Sequence, residues 1–174
     1  MAFISGKRII ILGSPGSGKS TLARALREKT GLELFHLDQI WWKPDRTHIT
    51  REAFDDRLRQ ILAGDAWMID GDFSRTYEVR FAACDTVIFL DMSEETCMRG
   101  IRERVGKVRE DIPWIAERLD PELEREVRTY HLENRPRILE LMEKYPVRRL
   151  IFRTREQAEA WISALPPLES PERL

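Results

Sequence analysis

Gly13-Ser14-Pro15-Gly16-Ser17-Gly18-Lys19-Ser20 decides how this chain is read. The stretch fits G-x-x-x-x-G-K-[ST], follows the aliphatic run at 8–12, and opens an amphipathic segment near Thr21. That order predicts a strand, a phosphate-cradling loop and a helix. Glycines let successive backbone N–H groups turn inward around phosphate oxygens, and the helix N-terminus adds its partial positive charge. Gly13, Ser14, Pro15, Gly16, Ser17, Gly18, Lys19, Ser20 and Thr21 are therefore the expected residues around bound ATP. Lys19 would reach the β- and γ-phosphates, and the Ser20 hydroxyl would ligate Mg²⁺.

Outward from the loop, short apolar runs alternate with longer amphipathic stretches. The runs lie at 8–12, 33–36, 67–69, 86–90 and 148–152 and mostly lack period-two alternation, as strands buried on both faces do. Helices are expected over 19–29, 51–63, 94–104, 122–144 and 155–164. Gly31 is a stop signal for the first and Thr50 a start signal for the second, while Pro136 predicts a kink or a break in the fourth. Alternation of this kind predicts an α/β, doubly wound domain: the three-layer P-loop NTPase fold, a five-stranded parallel sheet with helices on both faces and a small helical lid. One domain is expected over 1–165, with a Pro-rich tail at 166–174.

Composition agrees. The 174 residues suit one domain, and 42% hydrophobic residues suffice for a core. The charged fraction, 34%, is balanced, 29 Lys+Arg against 30 Asp+Glu, for a net charge of -1. A uniformly basic nucleic-acid coat is thus not expected, and no helix-turn-helix, zinc finger or long basic stripe is visible. Cys84 and Cys97 show neither disulfide nor zinc spacing, and no run is long enough to span a bilayer. The expectation is a cytoplasmic protein, monomer or homodimer, without membrane or strong direct DNA contacts.

A guanine reader of the Asn-Lys-x-Asp type is missing, since the only asparagine, Asn134, precedes Arg-Pro-Arg. Small kinases remain. Asp70, ending the run at 67–69, is the candidate carboxylate for organising Mg²⁺, and Arg75 is a candidate anion-binding cation. Asp91 can organise metal or cap the helix near Ser93; the cap is favoured.

Several stretches resemble known families. Gly13–Ser20, Asp70-Gly71 with Arg75-Thr76, and the arginines at 99–109 look like the adenylate kinase branch of nucleoside-monophosphate kinases. A closer resemblance is to the bacterial DNA topology modulation (FlaR-like) proteins. It rests on His36-Leu37-Asp38, Trp42-Lys43-Pro44, Trp67-Met68-Ile69-Asp70-Gly71, the segment 85–91, and Asn134-Arg135-Pro136-Arg137 with Ile138-Leu139-Glu140. It covers residues 8–162. The resemblance implies an ATP- and Mg²⁺-dependent phosphotransferase with a closing lid, approximately 99–120. The alternative it carries is a nucleotide-dependent regulator of DNA topology. Asp72 stands where that family more often has Asn, and an acid there repels an anionic acceptor. The lid segment 105–109 is short against that of adenylate kinases.

Asp38 is the expected base or acceptor-binding group, with Arg75 neutralising an acceptor phosphate or carboxylate. Arg104 and Arg109, on either side of Gly106, are expected to close onto the transferring phosphoryl group. Arg135 and Arg137, flanking Pro136, and less directly Arg128, are further phosphate-reaching candidates. His36 reads as a packed or capping histidine, and Trp41 and Trp42 as a base-stacking pair or a lid anchor. The acceptor is expected to be a small molecule, such as a nucleotide.

Overall fold

The computed structural model describes residues 6–167. The tail expected at 166–174 lies, beyond Pro167, outside the described residues. Five strands, β1 (Arg8–Gly13), β2 (Leu34–His36), β3 (Trp67–Asp70), β4 (Thr86–Leu90) and β5 (Arg148–Phe152), form one sheet of order β2-β3-β1-β4-β5. Every pairing is parallel.

Burial on two faces explains the aliphatic runs. Along β1 the side chains alternate across the pleat: Ile10 and Leu12 enter one core with Leu37, Phe54, Trp67, Phe89 and Leu141. Ile9 and Ile11 enter the other with Leu22, Leu26, Met68, Ile88 and Ile101. All four β1 residues are fully buried, and each contributes about 1.5–3 kcal/mol of hydrophobic stabilisation.

The helices are α1 (Lys19–Thr30), α2 (Leu37–Trp41), α3 (Arg51–Leu62), α4 (Tyr77–Ala83), α5 (Glu94–Glu103), α6 (Pro121–Lys144) and α7 (Arg155–Ala164). Gly31 caps α1 in the left-handed region, and the Thr50 hydroxyl caps α3 by accepting from the Ala53 amide. Pro136 does not divide α6, which is continuous over 24 residues. The carbonyl that the proline ring deprives of a donor belongs to Leu132, which is 82% exposed, so water can replace the missing N–H. Short α2 and α4 escaped the sequence pattern because neither is long enough to show a helical period.

The expected lid is corrected in extent and form. Residues 99–103 belong to α5, where Ile101 is core, and 104–120 form turns and bends without a helix. From β1 the chain crosses to β2 and β3 on one side and then to β4 and β5 on the other. The crevice of a doubly wound sheet opens where that order reverses, and the phosphate loop follows β1 there.

Candidate functional site

The phosphate loop wraps its own lysine. Lys19 Nζ donates to the carbonyls of Gly13 at 2.7 Å and Ser14 at 3.0 Å. Two of its three protons are thereby used, leaving one for a phosphate oxygen. The loop also presses on α5. Gly16 has φ of 81°, and a Cβ there would lie 2.0 Å from the Cys97 carbonyl oxygen. From the other side, a Cβ on Gly100 would lie 2.1 Å from the Gly16 carbonyl oxygen. Only two glycines permit this contact, and Arg155 at the start of α7 reinforces it by donating to the Gly16 carbonyl at 3.1 Å.

Beside the loop, Ser20 Oγ lies 2.9 Å from Asp70 Oδ2 and 3.0 Å from Asp111 Oδ2. His36 Nδ1 lies 2.8 Å from the same Asp70 oxygen, on a histidine that is buried, as its apolar flanks suggest. The remaining Asp70 oxygen, Oδ1, is buried without a hydrogen-bond partner. A serine hydroxyl and a carboxylate with a spare oxygen are the hard ligands that Mg²⁺ takes, so these residues fit the ion. Among the described residues no cluster of three or more metal-ligating side chains stands ready to bind one alone. The ion's other ligands would have to be phosphate and water oxygens, the usual arrangement for Mg²⁺.

Asp111 was missed from the sequence. It is a lid residue, and Arg109 grips its carboxylate through Nε at 3.0 Å and through a second, shorter bond. The same guanidinium helps keep the Asp111 carboxyl below its usual range, against the opposing effect of burial. The lid lies across α1 and α2: Arg27 donates to Glu110 at 2.8 Å, Gln39 to the Glu110 carbonyl, and the Trp114 ring meets the Trp42 edge at 5.5 Å. Trp42 is therefore a lid contact in this structure, while Trp41 stacks on His48 and packs against Phe54 and Phe73. Arg104 is half-buried at the lid's root and lines the cleft over the loop. Burial, then Arg109, push its guanidinium down to about 10, still charged at neutral pH, while Asp111, Asp70 and Asp38 pull the other way.

Asp38 stands in the first turn of α2 on the β2–β3 side. Loss of water within the crevice, then the charges of Asp70 and Asp111, push its carboxyl up to about 6. Lys19 and Arg109 oppose that shift, which places Asp38 within the field of both loop and lid. Glu126, one residue of a stripe on α6, was also missed. Its side chain is accessible, yet it stands in the concavity; removal of surrounding water, then Asp38, Glu122 and Asp72, push it up to about 6. Tyr130 and Asn134 continue that stripe at four-residue steps, and both donate to Asp72, at 3.0 and 2.6 Å. The Tyr77 hydroxyl is a third donor to Asp72. Spacing of four was legible in the sequence; that it faced Asp72 was not.

Several expected residues are placed elsewhere. Arg75 chelates Asp55 on α3 at 2.7 and 3.0 Å and walls a separate shallow hollow with Leu58 and Val79. The proposed Asp38–Arg75 acceptor pocket is therefore corrected: an oppositely charged neighbour on α3 holds the arginine outside the crevice. Arg135 pairs with Asp91 at 2.8 and 3.0 Å, so it is engaged rather than free for phosphate. That pairing also replaces the expected cap at Asp91, since Ser93 caps α5. Arg137 binds Glu78 and Glu140, Arg128 binds Glu94 and Glu124, and Arg99 and Arg102 lie exposed on α5. The cation buried under the β3 turn is instead Arg80, fully enclosed and donating to the carbonyls of Gly71, at 2.8 Å, and Asp72.

A cleft of about 390 Å³ runs over the loop between α1, α5 and α7, where Leu90, Met92, Ala158 and Ile162 face Ser20 and the lid's Arg104, Arg109 and Asp111. A loop that fits phosphates, a serine–carboxylate pair that fits Mg²⁺, and crevices on both sides of it define a P-loop protein of the kinase-like fold. Residues 9–123 match the model of a family described as AAA domain (AAA_18), and the chain belongs to that family. Among solved structures it is similar to a sugar kinase from Janibacter sp. HTCC2649, at 20% identity and a TM-score of 0.53, covering 90% of each chain. Deoxyadenosine kinase from M. mycoides with bound dATP matches at 16% identity and 0.53, covering 89% of this chain and 95% of that one. Shikimate kinase from Bacteroides thetaiotaomicron matches at 21% and 0.55, covering 92% and 97%. A search of the curated proteins found no match. Among the described residues, no helix is long and apolar enough to cross a membrane.

Proposed function

We propose that the protein is an ATP-dependent phosphotransferase that moves the γ-phosphoryl group to a hydroxyl of a small acceptor. One observation carries this reading: Lys19, the Ser20–Asp70 pair, the lid's Arg104 and Arg109, and Asp38 all act on one crevice. The loop amides and Lys19 hold the β- and γ-phosphates. Ser20, beside Asp70, would hold Mg²⁺, which when bound would supply charge neutralisation. Asp38 accepts the acceptor's hydroxyl proton as its oxygen bonds to the γ-phosphorus and the bond to the β,γ-bridging oxygen breaks. A carboxyl near 6 suits that task at neutral pH, being ionised yet basic. Arg104 and Arg109 offset charge on the transferring group and, with the lid down, exclude water from it.

The test is an ADP-release assay over nucleosides, nucleotides, sugars and hydroxy acids, with Lys19→Ala as control. Acceptor-dependent release that Lys19→Ala abolishes is the expected result; ADP release that no member of the panel elicits would return the protein to nucleotide binding alone. The resemblance to topology modulation proteins supports a second assay. Sequence-selective DNA binding tighter than the ~10⁻⁴–10⁻⁶ M of non-specific contacts at physiological salt would favour the regulatory reading.

A further inference from the structure

The charge on the acceptor side of the crevice points to the acceptor's chemistry, given that phosphotransfer is the reaction. A phosphorylated acceptor needs cations of its own, beyond those that hold ATP. On this side the candidates are spent: Arg75 is chelated by Asp55, and Arg80 is sealed beneath the β3 turn on backbone carbonyls. Arg135 and Arg137, farther along α6, are paired with Asp91 and with Glu78 and Glu140. The cations acting on Asp38 are Lys19 of the loop and Arg104 and Arg109 of the lid, all three assigned to ATP and its transferring group, and Arg109 is itself bonded to Asp111.

Against them stand carboxylates that, among the described residues, no lysine or arginine side chain pairs with directly. Asp38 and Glu126 form no ion pair among the described residues. Asp72 accepts only from the neutral side chains of Tyr77, Tyr130 and Asn134. Asp70, which is 3% exposed, keeps Oδ1 without a partner. Glu126 stands one turn before Tyr130 on the α6 stripe, so it overhangs the crevice whose floor carries Asp72.

We propose that the acceptor is an unphosphorylated alcohol carrying an ammonium group, with its hydroxyl at Asp38 and its ammonium against Glu126. Asp38 takes the hydroxyl proton, the oxygen bonds to the γ-phosphorus, and ADP leaves with the bridging oxygen. Glu126 touches the acceptor without entering that exchange, so it sets specificity. A like-charged phosphomonoester at the same place would face Glu126 and Asp38 with no cation beyond those that ATP itself takes up.

Two charge ladders test this: glucosamine, glucose and glucose phosphate; and serinol, glycerol and glycerol phosphate, with adenosine against AMP as a nucleotide pair. Calorimetric binding is measured on protein saturated with Mg²⁺ and a non-hydrolysable ATP analogue, and ADP release is measured with ATP. In each ladder the amine should bind about tenfold or more tightly than the neutral alcohol, one ion pair in a partly desolvated site, and the phosphate weakest. Glu126→Gln, a change at an accessible position, should compress the amine's advantage to within about threefold while the melting temperature holds. Preference for glucose phosphate, glycerol phosphate or AMP overturns the proposal. So does an amine preference that Glu126→Gln leaves intact, or the absence of binding by every ladder member. Failure of phosphotransfer itself looks different: amines bind in a Glu126-dependent way, yet no alcohol elicits ADP release.

Discussion

Over β4 and β5 the crevice is walled by Leu90, Met92, Ala158 and Ile162, and Arg155 is bonded to the loop itself. Over β2 and β3 it is walled by Asp38, Asp70, Asp72 and Glu126, with Tyr130 and Asn134 holding one of them in place. The first wall is apolar at its base, carries charged lid and α7 side chains at its rim, and lies beside the phosphate cradle. The second suits hydroxyls and positive charge. One loop serves both because its amides and lysine carry the only function they share, holding phosphate between them. The difference teaches that the donor side is fixed by backbone and local sequence, whereas the acceptor side is assembled from four separate elements.

Removing the shared part should break both halves together. Lys19→Ala is expected to lower kcat/KM by about 10³-fold, the loss of one charged donor on the transferring group, and to weaken nucleotide binding with the fold kept. Titration with Mg·ATP and the melting temperature separate these effects, and unchanged affinity would refute the loop's role. A change on the acceptor side alone should act on one half. Asp38→Asn is expected to lower turnover by about 10²-fold with ATP affinity nearly unchanged. In the unaltered protein, turnover should fall as pH drops below about 6, because a protonated Asp38 cannot accept the hydroxyl proton. Stability runs the other way. The folded protein holds that proton more tightly than the unfolded chain, so Asp38 makes stability decline as pH rises from about 4 to about 6. Asp38→Asn should abolish this slope and raise the neutral-pH melting temperature; an unaltered slope would place the titrating group elsewhere.

Between the two walls, Arg104→Ala and Arg109→Ala should lower turnover by about tenfold or more and nucleotide affinity less, as for contacts tightened in the transition state. Protease cleavage near Gly106 should diminish with Mg·ATP; equal cleavage in both states would argue against closure. Gly100→Ala strikes the support of the loop, forcing a methyl against the Gly16 carbonyl, and overpacking of this kind costs about 1–3 kcal/mol. A melting temperature lower by several degrees checks it. The smallest effect belongs to Arg75→Ala, an exposed pair with Asp55, expected to cost under about 1 kcal/mol and to leave the acceptor KM unmoved. A raised KM would return Arg75 to the acceptor site.

Most of the fold was legible in the sequence because β1, β3 and β4 carry their double burial as uninterrupted apolar runs, and because the loop motif joins strand to helix locally. The acceptor wall was only half legible. Asp38 and Asp70 could be found because strand ends converge in this topology. Asp111 and Glu126 could not, since an irregular lid has no period and an α6 stripe does not say which neighbour it meets. Arg75 misled for a related reason: Asp55 lies on α3, twenty residues earlier, and no local pattern foretells that the two will pair.

The glycine-on-glycine contact of Gly16 with Gly100 has a mechanical corollary. At backbone distance there is no side chain to flex and absorb a displacement, so the loop and the middle of α5 shift as one body. The last residue of that helix, Glu103, is one peptide bond from Arg104 and the start of the lid. Any settling of the loop around phosphate would therefore be passed along α5 toward the start of the 104–120 segment.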